Sequence, residues 1–135
     1  MNFKIGFISL AGAAFIATSA HAGGLSVTGG DQSMSGGTVT ASKIVADSNG
    51  WLVVHRTDGK KPGPVVGHAP LKKGTNNDVT AILTEPVKTG EKVMLMLHGE
   101  KGGNKTGIFE YSLGAKEDGP VKVDGKLVMA IVSAK

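Results

Sequence analysis

The residues of this sequence best suited to chemistry are histidines and methionines at the ends of predicted strands. Met94, Met96 and His98 lie at alternate positions, so an extended strand places all three on one face. His55 ends another predicted strand, and pairing of the two strands would bring both imidazoles to one end of a sheet. Neutral imidazole and thioether groups together suit copper, especially Cu(I). The pattern predicts a copper site formed by His55, Met96 and His98, with Met94 and His68 as additional candidate ligands.

A purely structural role for the same residues is the alternative. Methionine fills irregular core volume, and a buried histidine satisfies its ring nitrogens through hydrogen bonds to the backbone. In that case the protein binds no metal or other cofactor. The sequence contains no cysteine, which excludes blue-copper and iron–sulfur centres because both need a thiolate ligand.

Patterns typical of catalytic sites are absent from the sequence. It has no G-x-S-x-G nucleophile elbow, and no pair of carboxylates can be assigned to glycoside hydrolysis. Glu117, Asp118 and Asp124 offer oxygen ligands to calcium, but they flank two Asp-Gly turns and lack the spacing of a calcium-binding loop. Turn geometry accounts for these three residues. We therefore expect a protein that is not an enzyme.

The first 22 residues have the organisation of a secretory signal peptide. Lys4 precedes an apolar run over residues 5–17, and the triplet Ala-His-Ala at residues 20–22 provides the small side chains that a signal peptidase requires. We expect cleavage before Gly23 and a location in a periplasm or outside the cell. No later apolar run approaches the roughly 20 residues that cross a bilayer, so we expect no membrane insertion after cleavage.

The charge of the mature chain is mildly basic. Loss of Lys4 with the leader lowers the formal charge from +4 to +3. The lysines are scattered or paired, and the aromatic side chains available to stack on bases are Trp51, Phe109 and Tyr111. We expect no nucleic-acid partner.

The mature sequence is organised as a glycine-rich arm followed by one β domain. Residues 23–37 contain six glycines and few bulky apolar side chains, which predicts a flexible arm with one edge strand at residues 25–28. From residue 38 to residue 135, short β-rich runs alternate with turn dipeptides and show no helical periodicity. The predicted strands cover residues 38–45, 51–56, 65–68, 79–84, 92–98, 108–113 and 127–133.

Two of these strands have patterns that indicate their place in a fold. Alternation in residues 79–84 puts Val79, Ala81 and Leu83 on one face, as a half-buried strand requires. Residues 92–98 carry apolar side chains on both faces, which is typical of a central strand covered on both sides. About seven short strands at this spacing indicate an all-β fold, an antiparallel sandwich.

Six short motifs occur in an order that resembles a known family, a domain of uncharacterised function found in many secreted haloarchaeal and bacterial proteins. The motifs are Val54-His55, Val65-Val66-Gly67, Gly74 with Asn77 and Val79, Met96 with His98, Phe109-Glu110-Tyr111, and Glu117-Asp118-Gly119-Pro120. The resemblance covers nearly the whole mature chain. It implies an immunoglobulin-like antiparallel β-sandwich and an exported location, and it implies no established activity. Family members usually carry an acidic run after the second histidine, where this chain has Gly99-Glu100-Lys101-Gly102-Gly103-Asn104.

Two functions are consistent with the sequence. The first is an exported, non-catalytic sandwich that binds a protein, a glycan or an envelope component through its loops and edges. The second is a periplasmic copper-binding or copper-carrier protein with histidine and methionine ligands. The two differ in whether the rings of His55 and His98 converge to within about 4–5 Å of a common point, as ligands of one ion must.

Overall fold

The structure, a computed structural model, describes residues 18–22, 24–111 and 116–135, with the backbone alone described for residues 18–22. The predicted signal peptide therefore lies outside the described residues except for the backbone of its last five. All regular elements in the described part of the chain are strands. They are β1 Thr18–Ala22, β2 Leu25–Gly29, β3 Thr38–Ala46, β4 Gly50–Thr57, β5 Pro62–Leu71, β6 Gly74–Ile82, β7 Lys92–Gly99, β8 Lys122–Val123, β9 Lys126–Leu127 and β10 Met129–Ser133.

Two four-stranded antiparallel sheets form a sandwich, as the sequence predicts. One sheet has the order β1-β2-β3-β6, and we call it the N-terminal sheet. The other has the order β10-β7-β4-β5, and we call it the histidine sheet because His55 and His98 lie on it. Without β1, these orders correspond to strands A-B-E and G-F-C-C′ of an immunoglobulin-like sandwich. Strands β8 and β9 form a separate hairpin.

Alternation along the strands places the hydrophobic core between the sheets. Val27, Val39 and Ile44 project from the N-terminal sheet and meet Leu52 and Leu95 of the histidine sheet in one buried cluster. The alternation predicted for residues 79–84 is confirmed at its centre. Ala81 is fully buried, whereas the neighbouring Ile82 is 74 % exposed. The inner face of each sheet is therefore apolar, as sheet-on-sheet packing requires.

Strand β7 is covered on both faces, as its sequence predicts. Val93, Leu95 and Leu97 face the core between the sheets. The alternate residues Met94, Met96 and His98 are also buried, although they lie on the outer face of the histidine sheet. A long connection after β7 covers this outer face, and the same connection carries the aromatic residues described below. The histidine sheet thus has a second, smaller buried layer on its outer face.

The ordered part of the β domain begins earlier than residue 38. Leu25 and Val27 of β2 and Met34 in the following connection are all buried in the core. Strand β2 includes the strand predicted at residues 25–28 and pairs antiparallel with β3, but it is not the edge of the sheet, because β1 pairs with its other side. The glycines permit tight connections here, while the few apolar side chains between them are enough to attach the segment to the sandwich.

The strand predicted at residues 108–113 is not present in its described part, residues 108–111. Aromatic and acidic residues alternate there as in a strand, but no strand pairs with this segment. The strand predicted at residues 127–133 is divided between β9 and β10. The Asp124-Gly125 turn is confirmed, since both residues have positive φ, 52° and 77°, between β8 and β9. No helix in the described residues is both long and apolar enough to span a membrane.

Candidate metal centre

His55 and His98 project from neighbouring strands onto the outer face of the histidine sheet. In the register of β4 and β7, His55 pairs with Met94 and His98 pairs with Trp51. The pair Val53–Met96 lies between them in that register. The two rings reach towards each other along the strands, and their Nε2 atoms are 3.2 Å apart. Both histidines have 0 % exposed surface.

Backbone carbonyls determine the tautomer of both rings. The Nδ1 atom of His55 lies 2.8 Å from the carbonyl oxygen of Gly63, and the Nδ1 atom of His98 lies 2.6 Å from that of Asp118. A carbonyl oxygen only accepts hydrogen bonds, so each Nδ1 must carry the proton and donate it. In the neutral state, each Nε2 then has a lone pair and no proton. The two lone pairs face each other.

Burial keeps both imidazoles neutral. Loss of hydration lowers the pKa of His55, and its hydrogen bond to the Gly63 carbonyl opposes that effect only in part. Loss of hydration also lowers the pKa of His98, from 6.5 to about 4. The hydrogen bond to the Asp118 carbonyl opposes this decrease, and the nearby His55 adds to it. Near neutral pH the site therefore presents two deprotonated Nε2 atoms, which is the form of histidine that binds metal ions.

Aromatic rings of the connection after β7 cover the two histidines. The ring of Tyr111 packs edge-on against His98, with centroids 4.6 Å apart, and also contacts His55 at 5.9 Å. Phe109 contacts His98 at 6.2 Å. The segment that carries these rings was predicted to be a strand. The alternation of aromatic and acidic residues in this segment has another cause. Both aromatic side chains face the imidazoles, whereas the carboxylate of Glu110 accepts hydrogen bonds from the backbone N–H groups of Asn104 and Lys105.

Asp118 attaches this connection to the site. Its carbonyl oxygen accepts a hydrogen bond from the Nδ1–H group of His98, and its carboxylate accepts hydrogen bonds from the backbone N–H groups of Lys101 and Glu110. Asp118 is fully buried and has a φ of 49°, a left-handed conformation that aspartate tolerates better than most residues. One residue thus orients an imidazole and closes the covering segment over it.

The structure brings together some of the predicted ligands. His55 and His98 converge, and Met96 lies on the same outer face between them in the register. Met94 is buried on that face as the cross-strand neighbour of His55. His68 does not join the pair. It is exposed, and its ring stacks on Phe109 at 4.5 Å and packs edge-on against Trp51 at 5.6 Å.

The carboxylates considered for calcium do not form one group. Among the described residues, Asp118 instead lies close to Glu100 and Glu110, with one oxygen of each within 4.8 Å of the others. These oxygens accept backbone N–H groups, including that of Gly107 at Glu100, so they organise the connection. Sequence reasoning missed the roles of Tyr111 and Asp118. The Phe-Glu-Tyr triplet and the Asp-Gly dipeptide are the available signals, but in the sequence they have the same appearance as a strand and a turn.

Comparison with known proteins agrees with the family resemblance. The chain is 32 % identical over 99 residues to "Cell surface glycoprotein 2" of Haloarcula hispanica, an alignment that covers 73 % of this chain and 10 % of the glycoprotein. The chain thus spans about a tenth of the length of that relative. No solved structure matches the chain. The model of a family described as "Domain of unknown function (DUF7282)" matches residues 25–135, from the start of β2 to the last residue. The chain belongs to this uncharacterised family.

Proposed function

We propose that this protein is an exported, non-catalytic surface module that binds one copper ion, as Cu(I), between His55 and His98. The observation that carries the proposal is the pair of Nε2 lone pairs that face each other at 3.2 Å in a fully buried position. Two acceptors without a proton between them repel each other. A bound cation removes this repulsion and uses both lone pairs.

The distance between the two nitrogens suits ligands of one ion. Metal–imidazole bonds measure about 2.0–2.1 Å, so two adjacent nitrogen ligands of a tetrahedral ion lie roughly 3.3 Å apart. The Nε2 atoms of His55 and His98 are already close to this separation. Met96, which lies between the two histidines in the register, is the residue best placed to add a thioether ligand, and Met94 is the next.

The chemistry of the donors favours Cu(I) over a divalent ion. Imidazole and thioether ligands are neutral, and a single positive charge is easier to bury among neutral groups than a double charge. Thioether sulfur is also a soft ligand, which selects Cu(I). The hydrogen bonds from Nδ1 to the carbonyls of Gly63 and Asp118 supply the outer contacts that usually orient metal-bound histidines.

The exported location rests on the leader pattern and on the family. The relative named above is a cell surface glycoprotein, and this chain's own apolar leader has the features of a signal peptide. We therefore place the protein at the cell surface or in a periplasm as part of the proposal. Its proposed partner is a protein, a glycan or an envelope component.

Titration of the purified chain from Gly23 onwards with Cu(I), Cu(II) and Zn(II) tests the metal proposal. We expect each chain to bind one Cu(I) ion, with a higher affinity than for either divalent ion. His98→Ala should abolish this binding, and His98→Gln, which keeps a polar side chain that can donate to Asp118, should weaken it strongly. His68→Ala is the matched control and should leave the affinity unchanged.

Two outcomes would contradict this proposal. Equal Cu(I) affinities of the wild type and both His98 variants would show that the paired imidazoles are not the ligands. If the wild type bound none of the three ions, the copper site would be contradicted and only the proposed role as a surface module would remain. Circular dichroism of each variant establishes that lost binding does not reflect lost folding.

A further inference from the structure

The predicted signal-peptidase site lies between two strands that pair with each other. Strand β1, Thr18–Ala22, is antiparallel to β2, Leu25–Gly29, with Ala22 opposite Leu25 and Thr18 opposite Gly29. Cleavage after Ala22 would remove β1 together with the leader. Strand β2 would then become the edge of the N-terminal sheet, because β1 is its neighbour on that side. This step rests on the export that forms part of the proposed function and does not depend on the metal.

The exposed edge of β2 would be ready to pair with another strand. In an antiparallel ladder, alternate residues direct their backbone N–H and C=O groups to one neighbour or the other, so removal of β1 frees half of the groups of β2. The strand Leu-Ser-Val-Thr-Gly carries no charged residue and no proline, which are the usual means of protecting an edge. Its pairing with β1 shows that the edge accommodates five residues of antiparallel strand.

We infer that two processed chains pair through β2 about a twofold axis at Val27. The strand is complementary to itself in this arrangement, because Val27 meets Val27 of the second copy and Ser26 meets Thr28. A twofold axis perpendicular to the sheet keeps equivalent faces on the same side. Leu25 and Val27 thus remain on the core face, and the hydroxyl residues remain on the outer face in both copies.

A second copy is the occupant that the edge favours. Each processed chain brings the same five-residue strand, with apolar side chains alternating in the pattern that the other copy requires. The result is one continuous sheet with the order β6-β3-β2-β2-β3-β6. The pairing restores the backbone hydrogen bonds that β1 makes in the unprocessed chain, and it buries an edge that would otherwise attract other strands.

Disulfide cross-linking tests the register directly, because the chain contains no cysteine. We would prepare processed Ser26→Cys and Thr28→Cys chains separately and then mix them under oxidation. Directly opposed residues have Cα atoms about 4.5–5.5 Å apart, within the range that a disulfide spans. Identical positions are offset along the strand and lie more than about 7 Å apart, beyond that range. The mixture should cross-link, and neither variant alone should do so.

Sedimentation of the processed chain supplies a second measurement. We expect a dimer for the wild type, a monomer for Thr28→Lys, and a dimer for Thr38→Lys, the matched control at an exposed position of β3. A monomeric wild type together with no cross-link in the mixture would overturn the inference. A monomer that forms a complex with another exported protein through β2 would also overturn it and would assign the edge to that partner.

Dimerisation through β2 and copper binding by the histidines can be measured independently. The intact mass of the secreted chain shows whether residues 1–22 are removed, and a chain that keeps them would contradict both cleavage and the dimer. Cu(I) binding to the Thr28→Lys monomer should equal that of the wild type, because Thr28 and the two histidines lie on different sheets. Loss of dimerisation with unchanged copper binding would therefore separate the two claims.

Discussion

His55 and His98 bring their Nε2 atoms to 3.2 Å although their positions in the register of β4 and β7 are offset by four residues. Each ring can lie along the sheet because a carbonyl oxygen accepts a hydrogen bond from its Nδ1–H group. The carbonyl of Gly63 comes from the start of β5, and that of Asp118 comes from the connection after β7. The two imidazoles therefore join four parts of the chain, namely β4, β5, β7 and the connection after β7.

Replacement of Met96 by leucine separates its two interpretations, ligand or core residue. Leucine has nearly the same volume, so Met96→Leu should change the free energy of unfolding by less than about 1.5 kcal/mol. If the thioether binds copper, Cu(I) affinity should fall at least tenfold while Zn(II) affinity changes little. The matched control is Met129→Leu, the cross-strand neighbour of Met96 on β10. Isothermal titration of both variants measures the difference, and equal affinities would assign Met96 to packing alone.

The metal-free protein should lose stability as the pH falls from 6.5 towards 4. Burial lowers the pKa of His98 to about 4, whereas the unfolded chain has its ordinary value of 6.5. The unfolded state thus binds more protons in this window, and its stability relative to the folded state increases as the pH falls. The shift corresponds to about 3 kcal/mol of unfolding free energy.

The groups that face His98 modify this pH dependence without reversing it. Asp118 favours the protonated imidazole, and His55 disfavours it. Urea unfolding at several pH values measures the slope, and His98→Gln should reduce it because the amide does not titrate. A stability that is independent of pH between 4 and 6.5 in the wild type would contradict the neutral, buried imidazole.

Two glycines that face each other across β4 and β7 should respond very differently to alanine. Gly50 pairs with Gly99 beside His98. A Cβ atom at Gly50 would approach the carbonyl oxygen of His98 to 2.3 Å, whereas the nearest atom to a Cβ at Gly99 is 3.9 Å away. We expect Gly50→Ala to lower the unfolding free energy by about 1–3 kcal/mol. Urea denaturation measures both variants. An equal loss of unfolding free energy in Gly99→Ala would show that the close approach to the His98 carbonyl does not cause the destabilisation of Gly50→Ala.

Asp118 should stabilise the covering connection through its carboxylate. Asp118→Gly keeps the positive φ accessible but removes the acceptor for the N–H groups of Lys101 and Glu110. Hydrogen exchange at those two amides should therefore accelerate at least tenfold. Asp124→Gly is the matched control, since Asp124 also has a positive φ, 52°, but is exposed. Unchanged exchange in Asp118→Gly would contradict this role.

The sequence is sufficient to predict the sandwich and both faces of β7. Period-two alternation identifies half-buried strands, and apolar residues on both sides of β7 indicate a covered central strand. The sequence is less informative about β2. A glycine-rich segment with few apolar residues has the composition of a flexible arm, and the sequence does not show which residues of other strands pack against it. Both Leu25 and Val27 are buried by strands distant in the sequence.

The paired histidines are predictable as a site, but their geometry is not. Residue type and strand position bring His55 and His98 to the same sheet. The carbonyls of Gly63 and Asp118 determine the tautomers, and no side-chain pattern reports a backbone contact across 20 residues such as that of His98 with Asp118. The role of Tyr111 was missed for a related reason, since aromatic alternation has the same appearance in a strand and in a segment packed on a sheet.

Nitrogen-15 NMR of the histidine side chains tests the central claim most directly. In the metal-free protein at neutral pH, both His55 and His98 should show a protonated Nδ1 and an unprotonated Nε2. One equivalent of Cu(I) should shift both Nε2 resonances and leave those of His68 in place. Nε2 signals of His55 and His98 that do not respond to Cu(I), or a response confined to His68, would contradict the account.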